Sequence, residues 1–327
     1  MQRRHFLTAC AAGTASVLGS LPAHAQAAYP SKPIRVVVPY GAGGITDMIG
    51  RRLCEKLAKD LGQSLVVDNR PGASGTVGMA EVARATPDGY TVILSAISPL
   101  TLAPYLMKLQ YDHLSAIAPV TPVMYSPVYV LATPSFAGNS WDDVIRLSKA
   151  KPESIRIATN GVGSVGHIMI EQIQAKTGVK LTHVPYKGGA QLINDAAAGH
   201  FDLFLDNPAG TTNGLLQKGT LRLLATTGPQ RAQNQPDVKT LAELGVPEAN
   251  LISTFGFMAP AKTPPAVIEQ LTKAIQHQLA QDDIKELLRS NDNAPLVMSP
   301  AEFAQLLKRE GNNNAAVIQK VGIQLAS

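Results

Sequence analysis

Residues Ile34 to Leu61 read IRVVVPYGAGGITDMIGRRLCEKLAKDL, and this stretch decides the fold. Ile34, Val36, Val37 and Val38 make an apolar, β-branched run that stops at Pro39, as a strand buried on both faces does. Tyr40-Gly41-Ala42-Gly43-Gly44 then turns the chain. Beyond it Ile45, Ile49, Leu53, Leu57 and Leu61 recur every four residues along one helix face, and Gly62 is placed to cap the end. Strand, glycine loop and helix in this order leave backbone N–H groups free at a helix N-terminus, where the macrodipole also attracts negative charge. The expected ligand is therefore an anion, on the N–H groups of Gly43, Gly44 and Ile45 beside Thr46. Glycine at position 44 is expected because a Cβ would obstruct the ligand or because φ is positive there.

Outward from this unit the chain alternates strands and helices. Ser64 to Asp68 is a second strand, a helix through Met79, Val82 and Ala83 follows, and Thr91 to Ser95 is a third strand. That spacing predicts right-handed βαβ units, with the loops at Tyr40, Asn69 and Ser95 opening onto one crevice. Extended pieces around Val120–Val123 and Pro127–Leu131 read as a crossing between lobes, and Leu221 to Thr226 as a second crossing. Between them the opening device recurs: strand Ile155–Thr159, loop Asn160-Gly161-Val162-Gly163-Ser164, and a helix from Val165 to Lys176. Two such loops facing one cleft suit the two ends of a small anion, and two crossings make a hinge whose closure buries it. Asp206 and Asn207 close a further strand at the same edge. Near the C-terminus a short helix is expected from Asn234 to Leu241, a longer one through Ile268, Leu271, Ile275 and Leu279, and a last one from Ala301 to Val321.

Composition narrows the function classes. The chain has 327 residues, 45% apolar and 16% charged, with a net charge of +5, which describes packed lobes and no nucleic-acid surface. Residues 1–25 read as a cleavable leader: Arg3-Arg4, an apolar stretch from Phe6 to Leu21, and Ala23-His24-Ala25 before the cut. Tat and Sec export both fit. Cys54 is then the one remaining cysteine, and it reads as a packed thiol.

The motifs of cofactor enzymes are incomplete. Gly161-Val162-Gly163-Ser164-Val165-Gly166 has dinucleotide spacing, but no acid follows the next strand at Thr182–Tyr186 to hold a ribose. Ser164 lacks the nucleophile-elbow glycine at Val162, and the histidines have no metal-binding spacing. No cofactor and no metal are expected. His167, in the first helical turn beside Ser164, is expected to reach the ligand. Trp141 is expected to be a core or helix-start anchor.

Several ordered motifs resemble one family. Tyr29-Pro30-Ser31-Lys32-Pro33-Ile34, Val38-Pro39-Tyr40-Gly41-Ala42-Gly43-Gly44 with Asp47, Asp68-Asn69-Arg70-Pro71-Gly72-Ala73 and Pro87-Asp88-Gly89-Tyr90-Thr91 are similar to the Bug or TctC-type extracytoplasmic receptors of tripartite tricarboxylate transporters. So are His183-Val184-Pro185-Tyr186-Lys187-Gly188-Gly189, Asp206-Asn207 and Pro260-Ala261-Lys262-Thr263-Pro264. The resemblance implies an α/β two-lobed periplasmic binding protein of type II with a Venus-flytrap mechanism, each lobe a mostly parallel sheet flanked by helices. Lobe 1 would comprise 26–125 plus 226–327 and lobe 2 residues 126–225. It implies a periplasmic monomer that hands a small organic carboxylate, a di- or tricarboxylate, acidic amino acid or aromatic acid, to two membrane components. The implied ligand residues are Tyr40, Gly43, Gly44, Ile45, Thr46, Asp47, Ser95, Ser98, Asn160, Gly163, Ser164, His167, Asp206 and Asn207. Gly41 and Ile45 depart from the usual pattern of the first loop. A secreted α/β enzyme acting on a carboxylate is the alternative.

Overall fold

The computed structural model describes residues 29–187 and 189–322. The expected leader and its cleavage at Ala25 lie outside the described residues. In chain order the first part comprises β1 (Ile34–Val38), α1 (Ile45–Leu61), β2 (Leu65–Asn69), α2 (Thr76–Ala83), β3 (Thr91–Ala96), α3 (Ser98–Thr101) and β4 (Ile117–Pro127). The chain continues through β5 (Tyr129–Ala132), α4 (Trp141–Ala150), β6 (Arg156–Thr159), α5 (Val165–Thr177), β7 (Thr182–Pro185), α6 (Gly189–Ala197), β8 (Leu203–Asp206), α7 (Gly210–Gln217) and β9 (Arg222–Ala225). It closes with β10 (Ile252–Pro260), α8 (Pro265–Leu279), α9 (Asp282–Arg289), β11 (Ala294–Pro295) and α10 (Pro300–Val321).

Two sheets result, ordered β11-β4-β10-β3-β1-β2 and β7-β6-β8-β5-β9. Both are mixed, and the expectation of mostly parallel sheets holds only for their βαβ halves. β1 runs parallel to β2 and β3, and β6 to β7 and β8, because helical crossovers return each chain end to the same edge. The strands next to the crossings arrive from the opposite side. β10 is antiparallel to β3 and β4, and β5 to β8 and β9. Only Val128 separates β4 in the first sheet from β5 in the second.

Each sheet is covered on both faces. α1 and α8 bury Ile49, Leu53, Leu57, Leu271, Ile275 and Leu279 against Val36, Val38, Phe255 and Phe257, while Met79, Phe303 and Leu306 pack on Val37, Ile93 and Met258 opposite. In the second unit Trp141 is buried at the start of α4, whose N-cap Ser140 accepts the Asp143 N–H at 3.1 Å. Burial pushes the Cys54 thiol up to about 12, so the cysteine is packed and unreactive.

The stretch from Asn234 to Leu241 is not helical. Thr226 and Thr240 form an isolated bridge, and the Glu243 carboxylate accepts the Thr240 N–H at 2.8 Å while pairing with Arg231 at 2.8 Å. With Pro236 and Asp237 inside it, the segment closes as turns held by side chains. Leu241, Val246 and Ala249 then pack into the core of the second sheet, beyond the lobe boundary expected at 225/226.

β10 lies between β4 and β3, so the first sheet needs a strand supplied after both crossings. A mature chain truncated after Thr226 loses that strand along with α8 and α10. It should give no cooperative thermal transition by circular dichroism. A sharp transition from the truncated chain would contradict this dependence.

Candidate functional site

The first loop is held from behind. At Gly43 φ is +85°, the left-handed region that glycine enters without cost, and this directs its N–H to Asp47 Oδ2 at 3.0 Å. Asp47 is buried; Arg51 Nε donates to its Oδ2 at 3.1 Å and Asn69 Nδ2 to its Oδ1 at 2.9 Å. Asn69 Nδ2 also reaches the Tyr40 carbonyl at 3.1 Å. Burial alone would raise the Asp47 carboxyl, but the bonds from Arg51, Gly43 and Asn69 outweigh it and hold it below the usual carboxylate range. Asp47 is thus ionised, neutralised by Arg51, and spent on shaping the loop.

Gly44 has an ordinary extended backbone, with φ −75° and ψ 172°, so the positive φ expected there belongs to Gly43. A Cβ on Gly44 would meet only the Gly41 carbonyl, at 3.8 Å. What glycine preserves at this position is space on the cleft side. Gly44 is also the N-cap of α1 and carries no side-chain cap, which leaves the N–H groups of Ile45 and Thr46 without a partner among the described residues.

A cavity of 80 Å³ opens in front of these groups. At roughly 10–15 Å³ per water it holds about six water-sized groups, which suits a small organic acid. Lobe 1 lines it with Tyr40, Gly44, Ile45, Thr46, Ser74 and Ser98, and lobe 2 with Asn160, Ser164, Val165, Gly166, Asp206 and Asn207. Gly41, Ala96, Val128, Gly189, Leu205, Ser253 and Phe255 complete the wall. Among the described residues that line it, none is a lysine, arginine or histidine.

Tyr40 is fixed by its hydroxyl, 3.3 Å from Ser95 Oγ, and its burial raises that hydroxyl to about 12. The second loop is more committed than the sequence suggests. Ser164 caps α5 by accepting the His167 N–H at 3.3 Å and donates its own proton to the Gly161 carbonyl at 2.7 Å, while the Val165 and Gly166 N–H groups stay open at the start of α5. Asn160 Nδ2 donates to Asp206 Oδ1 at 2.9 Å, and Asn207 Nδ2 to the Pro127 carbonyl at 2.8 Å. Burial pushes the Asp206 carboxyl up to about 6 in spite of the Asn160 bond.

Gly43, Asp47, Ser95, Gly163 and His167 do not line the cavity. His167 turns inward instead and stacks on His183, with ring centroids 4.8 Å apart at 17°. Its Nδ1 also accepts the Gly163 N–H at 3.4 Å, so the ring is held between the second loop and the half-buried imidazole of His183.

Ser74 was missed. Its hydroxyl donates across the cleft to the Val162 carbonyl at 2.6 Å, with the Asn160 carbonyl at 3.2 Å. Ala73 (φ 43°) and Ser74 (φ 54°) both occupy the left-handed region, strain that aims this hydroxyl at the opposite lobe. Gly161 (φ +113°) receives it, since a Cβ there would lie 2.7 Å from Ser74 Oγ. Ser253 and Phe255 were missed too because β10 was not assigned, although the alternation Phe255, Phe257, Ala259 carries its signal.

Residues 49–323 match the family described as tripartite tricarboxylate transporter family receptor, TctC. The chain belongs to this family. It is 33% identical over 300 residues to Protein BugT of Bordetella pertussis, covering 91% of each chain. Among solved structures it resembles the periplasmic binding protein BugD, with a TM-score of 0.86 and 30% identity over 91% of this chain and 100% of that one. It also resembles Rpa4515 of R. palustris, solved with adipate, with a TM-score of 0.87, 31% identity and the same coverage. The architecture of this Bug/TctC receptor is thus that of two-lobed periplasmic binding proteins.

The histidine stack makes a prediction about acid stability. Burial lowers both imidazoles, His183 from 6.5 to about 4, with His167 adding to the depression of His183. A lowered folded value means the unfolded chain binds protons first, so the contribution is complete above 6.5 and is lost as pH falls toward 4. Asp206, raised to about 6, works in the opposite sense below that pH. The melting temperature of the mature receptor should fall across this window, and His183→Gln should flatten the fall. An unchanged slope in the variant would refute the assignment.

Proposed function

We propose that this receptor captures a small organic acid in the cleft and delivers it to the membrane components of a tripartite tricarboxylate transporter, acting as a periplasmic monomer. The carrying observation is the uncapped N-terminus of α1, whose Ile45 and Thr46 N–H groups open into a cavity sized for such an acid. The carboxylate sits on these N–H groups with the Thr46 hydroxyl beside them. Ile45, Val128, Leu205 and Phe255 pack the carbon skeleton. The binding of adipate by Rpa4515, a relative of the same family, supports a carboxylate ligand.

The lobes part at the 127–128 crossing and the return to β10, and Ser74 fastens them over the ligand. A receptor is favoured over an enzyme by what surrounds the ligand. Beside Asp206 the described lining offers only the Tyr40 hydroxyl as an acid or base, raised to about 12 and held at Ser95, and Ser164 and Ser74 both spend their protons on carbonyls.

A thermal-shift series of organic acids, with mass spectrometry of the incubated ligand, tests the function. An acid that binds should raise the melting temperature by mass action and be recovered unchanged. Gly44→Val should fold, since its backbone is unstrained, yet lose affinity by about tenfold or more. The valine would cover N–H groups whose charge-assisted bonds contribute roughly 1.5–3 kcal/mol each. Wild-type affinity in a folded Gly44→Val receptor, measured by calorimetry, would place the carboxylate elsewhere, and turnover of the ligand would reject the receptor.

A further inference from the structure

The last helix is attached to both lobes, and its sequence is weakest between the attachments. α10 opens on a capping box formed by Ser299 and Glu302 and ends at Gly322, whose φ is +70°. Its first half belongs to lobe 1, where Phe303 and Leu306 are buried with Val37, Ile93 and Met258. Its last turns reach the other lobe. There Ile318 is buried in a cluster separate from the sheet cores, with Leu102 and Leu106 of lobe 1 and Ile168 of α5, and Leu251 of the return crossing packs against it.

Between these attachments runs Gly311-Asn312-Asn313-Asn314, a full turn of residues that stand low among helix formers. Only part of it has a local reason. A Cβ on Gly311 would lie 3.4 Å from the Tyr105 hydroxyl, and Asn314 Nδ2 donates to the Thr101 carbonyl at 3.0 Å. Asn312 and Asn313 are exposed, where any helix former fits. Beneath the same turn lies a second cavity of about 50 Å³, lined by Glu310 and Asn314 with Thr101, Ile168 and Leu251, and it shares Ala96, Ser98, Val165 and Ser253 with the ligand cavity as a common wall. The turn therefore has space under it on the side where the lobes meet. When lobe 2 swings about the 127–128 crossing, a rigid α10 has to pull Ile318 off Ile168 and expose both to water. A turn of glycine and asparagine gives way at lower cost.

We infer that α10 is a jointed strap: residues 300–310 stay with lobe 1, residues 315–321 travel with lobe 2, and the turn at 311–314 is helical in the closed receptor and opens with the cleft. This rests on the reading that the lobes close over a small acid. In the present structure Ser74 bridges the cleft and α10 is continuous from Pro300 to Val321, as the closed state requires. No residue of α10 lines the ligand cavity among the described residues. The strap still sets affinity, because a ligand that closes the lobes must also close the turn, and the equilibrium of that turn adds to the equilibrium of binding.

Two double variants at the exposed positions change the turn and touch nothing else: Asn312→Ala with Asn313→Ala strengthens the helix, and Asn312→Gly with Asn313→Gly weakens it. Calorimetry on the mature receptor uses the acid that gives the largest shift in the thermal-shift series. The alanine pair should bind it about three- to tenfold more tightly than wild type and the glycine pair about threefold less tightly. A helix that is the same in the open and closed states changes the stability of both alike, so shifted melting temperatures with equal affinities in the three proteins overturn the inference and leave the carboxylate receptor standing. Hydrogen exchange on the wild type needs no variant. A saturating acid should slow the amides of 312–318 by about tenfold or more while those of 303–310 barely change, and equal slowing of both stretches, or none at 312–318, also overturns the strap. If no acid in the series binds, the receptor reading fails and this inference with it.

Discussion

The proposed acid is held with no positive side chain among the described residues that line the cleft, and much of the first lobe is arranged around that constraint. The loop before α1 has to keep its N–H groups pointing into the cavity while its own acid, Asp47, stays from competing for them. Pairing with Arg51 and bonding to Gly43 and Asn69 turn Asp47 from a rival anion into a brace. Two or three charge-assisted bonds of roughly 1.5–3 kcal/mol each do not by themselves offset the ~4–15 kcal/mol of freedom lost on association. The apolar wall of Ile45, Val128, Leu205 and Phe255, and the closing of one lobe on the other, have to supply the difference.

Closure in turn depends on how the sheets are joined. Val128 alone links β4 to β5, so the two sheets share a nearly continuous crossing, while the return passes through turns that pack on the second sheet. On the far side Tyr129 donates to Asp292 Oδ2 at 2.5 Å, and Asp292 Oδ1 accepts the Asn234 N–H at 2.7 Å. The Ser74 bond to the second glycine loop joins the lobes beside the cavity. The strain at Ala73 and Ser74 is tolerated where this hydroxyl crosses between the lobes, and Gly161 is shaped to receive it.

Much of this was legible in the sequence, for identifiable reasons. β1, α1, β3, α5 and α8 carry strong hydrophobic periodicity and glycine punctuation, so both strand–loop–helix devices could be located and their loops brought to one crevice. The antiparallel strands were not, since β10 follows a segment of turns and pairs with partners far away in sequence. The expected helix at Asn234–Leu241 failed because Thr240 and Glu243 capture each other's polar groups, a local competition that periodicity does not reveal. Within the site, glycine spacing located the loop but could not divide the labour between Gly43, which bends, and Gly44, which leaves room. His167 was read as a ligand residue from its place in a first helical turn, and Asp47 from the family's motif. Their side chains find protein partners instead, and sequence spacing gives the place of a side chain without its direction.

The central claim is that backbone N–H groups at the start of α1 carry the ligand's carboxylate. Amide NMR of the mature receptor, titrated with an acid that raises its melting temperature, reads those groups directly. The account predicts that the Ile45 and Thr46 amide resonances move downfield, saturate with the affinity found by calorimetry, and gain protection from exchange. Binding that saturates while the Ile45 and Thr46 amides stay in place would contradict it.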